Sequence, residues 1–391
     1  ELNLDNTYEL SFTFRVSPMN AYDASRYDLQ VRVVEDGDLA DAETVFSIQN
    51  QAMMREAGVM VYPIQLWDPY TATIDLSGVT SIGSNAFKGC SSITSVSYSP
   101  TYVPYRAFYG CSNLQDVILS DPSSLETIGN EAFANCVKLV SVAGQGNTGV
   151  DCPNIVRVNS SAFQNTGIRK VSMGTNGAEM TMGENVFNNC PSLTTVNLPN
   201  LAEVPRMTFF GCHALQYVNL MIALESIADY AFANCTSLQS ISLRNVKTLG
   251  AHSFENCTSL VRLVLPKIVS IGERAFSYTR GMTELRLGPD LESIGDCVFF
   301  DDDTNLRSKH KLNIYFYGDP YGATGAWDGA FNYTDPENTS SNGCFKFASV
   351  YVSSEYEDEE RWFDDLDQMT YSYYGCHSDY LPAGDNISDH I

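Results

Sequence analysis

Two apolar rhythms alternate along this 391-residue chain. In the first, apolar positions lie two apart, as in Val196-Asn-Leu198, Ile241-Ser-Leu243 and Leu263-Val-Leu265. Period two marks a strand with one buried face. The second rhythm is a nine-letter phrase: residues 82–90 read IGSNAFKGC, 128–136 read IGNEAFANC and 227–235 read IADYAFANC. Aligned on its Phe, it occurs ten times, at 87, 108, 133, 163, 187, 209, 232, 254, 276 and 299. A fainter eleventh copy, AWDGAFNYT, spans 326–334. A fixed period in the twenties predicts a solenoid. One repeat cannot bury its own apolar residues, but stacked copies can, with like strands pairing in parallel. The expected class is α/β and β-dominated: a right-handed solenoid of about eleven coils, each one short strand plus one return segment. Strands about 4.8 Å apart would make it roughly 50 Å long.

Each position of the phrase has a physical reading. Phe and the leading Ile point inward, and Ala is small where the return turns tightly. The Gly position also holds Pro104 and Pro205. Proline cannot take positive φ, so Gly is expected there for clearance rather than for a left-handed backbone. Proline often closes the strand, as at Pro199, Pro266 and Pro289; it donates no ladder hydrogen bond.

The ends break the pattern. Residues 1–66 lack the repeat and read as an N-terminal β-rich capping unit, or as a separate β-rich domain. Tyr8–Val16 and Leu29-x-Val31-x-Val33 alternate as strands do. Asp41 to Gly58 reads as a helix, with Asp41 as cap and Val45, Ile48 and Ala52 on one face. The array is expected over 67–352, from Ile74-Asp-Leu76 to Ala348-Ser-Val350-Tyr-Val352. Residues 353–391 are an acidic cap and tail, in which Tyr356, Phe363 and Leu366 would cover the last coil.

The pattern Ile-Gly-x-x-Ala-Phe-x-x-Cys-x-x-Leu-x-x-Val-x-Leu-Pro resembles the BspA-like (Treponema-type) leucine-rich repeat, over roughly residues 70–352. Asn165-Thr-Gly-Ile168 shortens one coil and puts Thr166 where Cys usually sits. The resemblance implies a bacterial cell-surface protein, often a lipoprotein, in a family associated with adhesion. It names no ligand.

Charge narrows the partners. With 47 acidic and 23 basic residues the formal charge is −24. That argues against binding a nucleic-acid backbone and against attachment to anionic lipid. It suits an exposed protein that stays dispersed. No apolar run approaches the roughly 20 residues that span a bilayer. The chain starts at Glu1 rather than Met and reads as an exported fragment with its signal removed; export follows from the family resemblance.

Several motifs carry no chemistry. Gly144-x-Gly146-x-x-Gly149 matches a dinucleotide fingerprint, but Val150-Asp-Cys-Pro153 follows where a helix would have to start; it reads as a loop insertion. Asp301, Asp303 and Asn305 are spaced like calcium ligands, yet Leu306 and Leu312 stand where Gly and Glu belong. Seven of eleven cysteines (90, 111, 136, 190, 212, 235 and 257) fall three residues after the repeat Phe, and Thr166 and Thr279 take that slot elsewhere. Exchange with Thr implies small, buried, reduced side chains, not a disulfide framework. Cys152, Cys297, Cys344 and Cys376 lie outside the column, and a Cys344–Cys376 bond could tie down the tail. The five histidines show no catalytic spacing. No catalytic, cofactor or metal residue is expected.

What remains is the sheet face. Residues before and between the inward Val and Leu point outward. Most are small and polar, such as Ser95, Ser97, Thr195, Ser240 and Ser242. Lys170, Tyr217, Arg262 and Arg286 break that pattern as a basic and aromatic stripe. Tyr and Arg are enriched at binding hot spots. The candidate partner-binding residues are Lys170, Asn197, Tyr217, Asn219, Arg262, Glu284, Arg286 and Tyr315. The expected function is non-catalytic recognition of an extracellular protein or glycan. The alternatives are a structural spacer or an enzyme hidden in a terminal unit.

Overall fold

The computed structural model describes residues 29–33, 43–48, 72–76, 79, 81–220, 224–300, 312–318, 348–352, 377–380 and 387. The chain divides into two units, Glu1–Ala178 and Glu179–Ile391. Each is β-solenoid, about ten turns in all, and the ten repeat phenylalanines are buried.

In the first unit the longer strands pair in parallel in the order Lys170–Met173, Gly149–Cys152, Ser141–Gly144, Asp116–Leu119, Ile93–Tyr98, Ala72–Leu76. In the second, Thr195–Asn197 pairs with Tyr217–Asn219. Arg262–Leu265, Glu284–Leu287, Leu312–Phe316, Ala348–Val352 and His377–Tyr380 follow as a five-stranded parallel sheet. A second parallel sheet in each unit is built from two-residue strands, such as Thr127–Ile128 and Arg157–Val158, or Ser226–Ile227 and Thr248–Leu249. The expected single strand per coil is thus two, because the leading Ile of the phrase pairs with its copies.

No α-helix occurs among the described residues. The return segment is a run of tight turns, as in Ala86 N–H to Gly83 O, Lys88 N–H to Asn85 O and Cys90 N–H to Phe87 O, at 3.0–3.2 Å. Two residues per return take left-handed φ. Two before the Phe they are Asn85, Arg106, Glu131, Ser161, Asn185, Met207, Tyr230, His252, Arg274 and Cys297. Two after it they are Gly89, Gly110, Asn135, Asn165, Asn189, Gly211, Asn234, Asn256 and Tyr278. The second set is almost confined to Gly and Asn, which tolerate that backbone best.

Neighbouring returns are laced by a one-way ladder. The N–H groups of Asn85, Phe87 and Gly89 donate to the carbonyls of Tyr105, Ala107 and Tyr109 in the next coil, at 2.7–3.0 Å. The same three bonds recur from Tyr230, Phe232 and Asn234 to Ala251, Ser253 and Glu255, at 2.8–2.9 Å. Inside, the phenylalanine rings stack. Centroids lie 5.3–5.4 Å apart from Phe87 to Phe163, and 5.1–5.9 Å apart from Phe187 to Phe299.

Clearance explains the Gly slot, as expected. A Cβ on Gly272 would lie 2.4 Å from the amide nitrogen of Ala251 and 2.5 Å from the carbonyl carbon of Gly250, and its φ is not positive. The nine described cysteines are reduced thiols, all buried. Column thiols donate to the Phe carbonyl one coil back, as Cys111 Sγ to Phe87 O at 2.9 Å and Cys235 Sγ to Phe209 O at 3.2 Å. Thr166 and Thr279 bond instead to the Phe of their own coil, at 2.9 and 2.6 Å. A small side chain with one donor satisfies the slot either way.

One expectation is corrected near the start. Leu29–Val33 is a strand, but its antiparallel partner is Glu43–Ile48, within the helix expected over 41–58. Thr44, Val45, Phe46 and Ile48 are β-branched or aromatic, and that preference outweighs their helical spacing. The strand read over 8–16, the cap over 353–367, the Asp301–Asn305 loop, the copy at 326–334, and Cys344 and Cys376 lie outside the described residues.

Candidate functional site

The sheet of the first unit carries one strand more than its coils require. Ser141–Gly144 and Gly149–Cys152 are adjacent parallel strands, so the chain doubles back through residues 145–148, all exposed. The GxGxxG sequence supplies this return: Gly146 and Gly149 have φ of +83° and +90°. It adds a strand to the sheet rather than a phosphate cradle. Asn147 folds over the face, its carbonyl accepting from Ser141 Oγ at 3.3 Å and its Nδ2 donating to Asp151 Oδ2 at 3.4 Å. Lys170 is exposed on the neighbouring strand. It belongs to the first unit, whereas the other seven candidate residues belong to the second.

In the second unit the candidates fall into two groups. On Thr195–Asn197 and Tyr217–Asn219, Asn219 Nδ2 donates to Asn197 Oδ1 at 2.8 Å. Tyr217 is 66% exposed, the highest of the exposed large hydrophobic side chains among the described residues. The coil after it, with Leu238-Gln-Ser-Ile241-Ser-Leu243, carries the strand pattern but no strand. Ile241 and Leu243 still point inward, and Ser240 and Ser242 are exposed. The expected continuous face over coils four to nine is interrupted there.

Beyond the gap lies the second group. Register places Arg262, Glu284 and Asn313 in one outward row and Val264, Arg286, Tyr315 and Tyr351 in the next. One oxygen, Glu284 Oε1, receives Arg262 Nε at 3.0 Å and Arg286 Nε at 2.6 Å. Arg286 also bonds the Tyr317 hydroxyl, and its guanidinium lies 4.0 Å from the Tyr315 ring centre. Tyr315 stacks in turn on Tyr351, 4.7 Å away. Arg286 is consequently only 7% exposed. It was expected to project toward a partner; it is instead a bracket that holds the face together. Glu284 is held between the two arginines. Arg262 keeps 45% of its side chain exposed.

Tyr317 and Tyr351 were not among the candidates. Their signal was present, because Tyr315-Phe-Tyr317 and Val350-Tyr-Val352 alternate as strands do, but their meeting depends on register. The return side holds another unforeseen cluster. Arg106 forms two bonds to Glu131, at 2.7 and 3.1 Å, and lies 4.9 and 5.0 Å from the rings of Tyr105 and Tyr109. Among the described residues no His, Cys, Asp and Glu side chains are grouped as a metal site, and no helix is long and apolar enough to cross a membrane.

Solved structures similar to the chain include leucine-rich repeat proteins. A leucine rich cell surface protein from Faecalibacterium prausnitzii A2-165 is 16% identical, covering 85% of this chain and 88% of its own, with a TM-score of 0.43. The pneumococcal vaccine antigen PcpA is 18% identical, covering 85% of each chain, with a TM-score of 0.42. A leucine-rich repeat protein from Bacteroides ovatus ATCC 8483 is 17% identical, covering 74% and 93%, with a TM-score of 0.27. Scores this low add no weight to the assignment. No curated protein matches the chain. The sequence profile of the BspA type leucine rich repeat region does, in six copies over residues 71–182 and 180–306. That stretch is more than half of the 391 residues, and its coils are those described above: the protein belongs to the BspA-type leucine-rich repeat family.

Proposed function

We propose that the protein is a non-catalytic cell-surface binding protein that recognises an extracellular protein or glycan through the sheet face of its second unit. The observation that carries this reading is Tyr217. A 66% exposed tyrosine projects beside Thr195, Asn197, Asn219, Ser240 and Ser242, and no ring or hydrogen-bond partner holds its side chain among the described residues. A large apolar ring left in water has no folding role to explain it, whereas Tyr and Arg are the side chains most enriched at hot spots. Arg262, exposed across the gap at Ser240 and Ser242, supplies the charged contact. Solenoids use such extended faces for recognition.

The test is an array of matrix proteins and glycans probed with the purified chain, followed by Tyr217→Ala, Arg262→Ala and the double variant. Each single change should weaken binding of the captured partner, by about 2 kcal/mol or more if the residue is a hot spot, without lowering the melting temperature. Unchanged affinity in all three variants removes this face from consideration.

A further inference from the structure

The loop after Lys170–Met173 contains Asn176-Gly177, one of two Asn-Gly pairs in the chain; the other, Asn342-Gly343, lies outside the described residues. Residues 175–179 are all exposed. Ala178 N–H donates to Asn176 Oδ1 at 3.0 Å, which draws electron density from the side-chain carbonyl. That bond also places a donor where negative charge would develop on attack at Cγ. Gly177 has φ +88°, and nothing lies within 4 Å of where its Cβ would be. Its amide N–H has no hydrogen-bond partner among the described residues. The nucleophile is therefore free, the electrophile polarised and the approach open.

We infer that Asn176 is a site of self-modification, where the folded loop promotes deamidation through a cyclic imide. The Gly177 amide nitrogen gives its proton to water and bonds to Asn176 Cγ. The Cγ–Nδ2 bond then breaks and ammonia leaves. Water adds to either ring carbonyl and opens the ring, giving aspartate when the new bond breaks, or isoaspartate when the original peptide bond breaks. One water is consumed for each ammonia released, with no cofactor or redox change. The product gains a negative charge, and in the isoaspartate form an extra backbone methylene, in the loop that precedes the second unit.

The other described asparagines lack this combination. Asn165 Nδ2 donates a hydrogen bond to Asn135 Oδ1 at 2.7 Å, and Asn256 Nδ2 donates one to Asn234 Oδ1 at 2.8 Å. All four precede Cys or Thr rather than Gly. The full-length chain is to be incubated in mildly alkaline buffer and mapped by mass spectrometry, with isoaspartate read by enzymatic methylation. A free peptide covering 171–180 serves as reference, and circular dichroism confirms that the chain stays folded. Asn176 should convert in the folded chain at least as fast as in the peptide. Gly177→Ala should slow it by about tenfold, because an L-residue resists the left-handed backbone. An Asn176 that stays intact in the folded chain while the peptide converts overturns the proposal, as does a Gly177→Ala chain that converts at the original rate.

Discussion

Replacing Phe232 by Ala tests whether the stacked ring column holds the second unit together. The ring is fully buried and lies 5.1 Å from Phe209 and 5.2 Å from Phe254. Truncating a buried Phe costs roughly 3–5 kcal/mol in lost transfer and residual cavity. The two ring contacts account for about 0.5–1.5 kcal/mol each within that figure. Phe232→Leu keeps most of the volume and loses only the ring geometry, so it should cost about 1–3 kcal/mol. In a stacked array the damage reaches the neighbouring interfaces and no further. Urea unfolding gives the size of the effect, and amide hydrogen exchange gives its place. Protection should fall at Met207, Phe209, Gly211, Tyr230, Phe232 and Asn234, whose N–H groups make the ladder on either side. Arg106, Phe108 and Gly110 in the first unit make the same bonds and should keep theirs. An Ala variant that loses less than about 1 kcal/mol, or protection lost evenly through both units, refutes the reasoning.

Gly272→Ala should cost about 1–3 kcal/mol, because its Cβ must displace the backbone of Gly250 and Ala251; urea midpoints measure it. Gly89→Asn should stay within about 1 kcal/mol of the parent, since φ there is +73° in open space and Asn fills the same position in other coils. Gly89→Val at that site should lose about 1–2 kcal/mol in the same assay. Burial raises the thiols of Cys90 and Cys152 from 9.0 to about 12. The unfolded chain therefore ionises first. This contribution to stability is complete below pH 9 and disappears as pH rises toward 12, so the urea midpoint should fall across that window. A thiol reagent at neutral pH should leave the described cysteines unlabelled until denaturant is added.

Much of this was legible in the residues. The Phe period set the coils, Pro104 and Pro205 disclosed clearance as the reason for Gly, and Thr166 and Thr279 showed what the Cys slot requires. The second sheet was not legible, because pairs such as Ser226–Ile227 are too short for a period to show. Nor was the left-handed backbone two residues before each Phe. Arg106, Glu131, Met207 and Arg274 carry no turn chemistry, and the conformation is imposed by ladder bonds to the next coil. The gap at 238–243 has the same local pattern as its bonded neighbours. Of the candidate face, Tyr217 and Arg262 project as read. Arg286 does not, because its burial depends on Tyr315 and Tyr317, which only register brings beside it.

The return ladder has a direction. Within the second unit, the returns around Phe209, Phe232, Phe254 and Phe276 each offer three backbone N–H groups forward and three carbonyls backward, so the return edge of such a coil has a plug side and a socket side. A chain divided between the coils of Phe232 and Phe254 would leave bare donors at Tyr230, Phe232 and Asn234 on one fragment. Bare acceptors at Ala251, Ser253 and Glu255 would remain on the other. Along the return edge, two copies of either fragment cannot satisfy each other, since like groups would meet there. The two different fragments can, in one orientation, which makes this junction a natural place to split the protein and let its halves find each other.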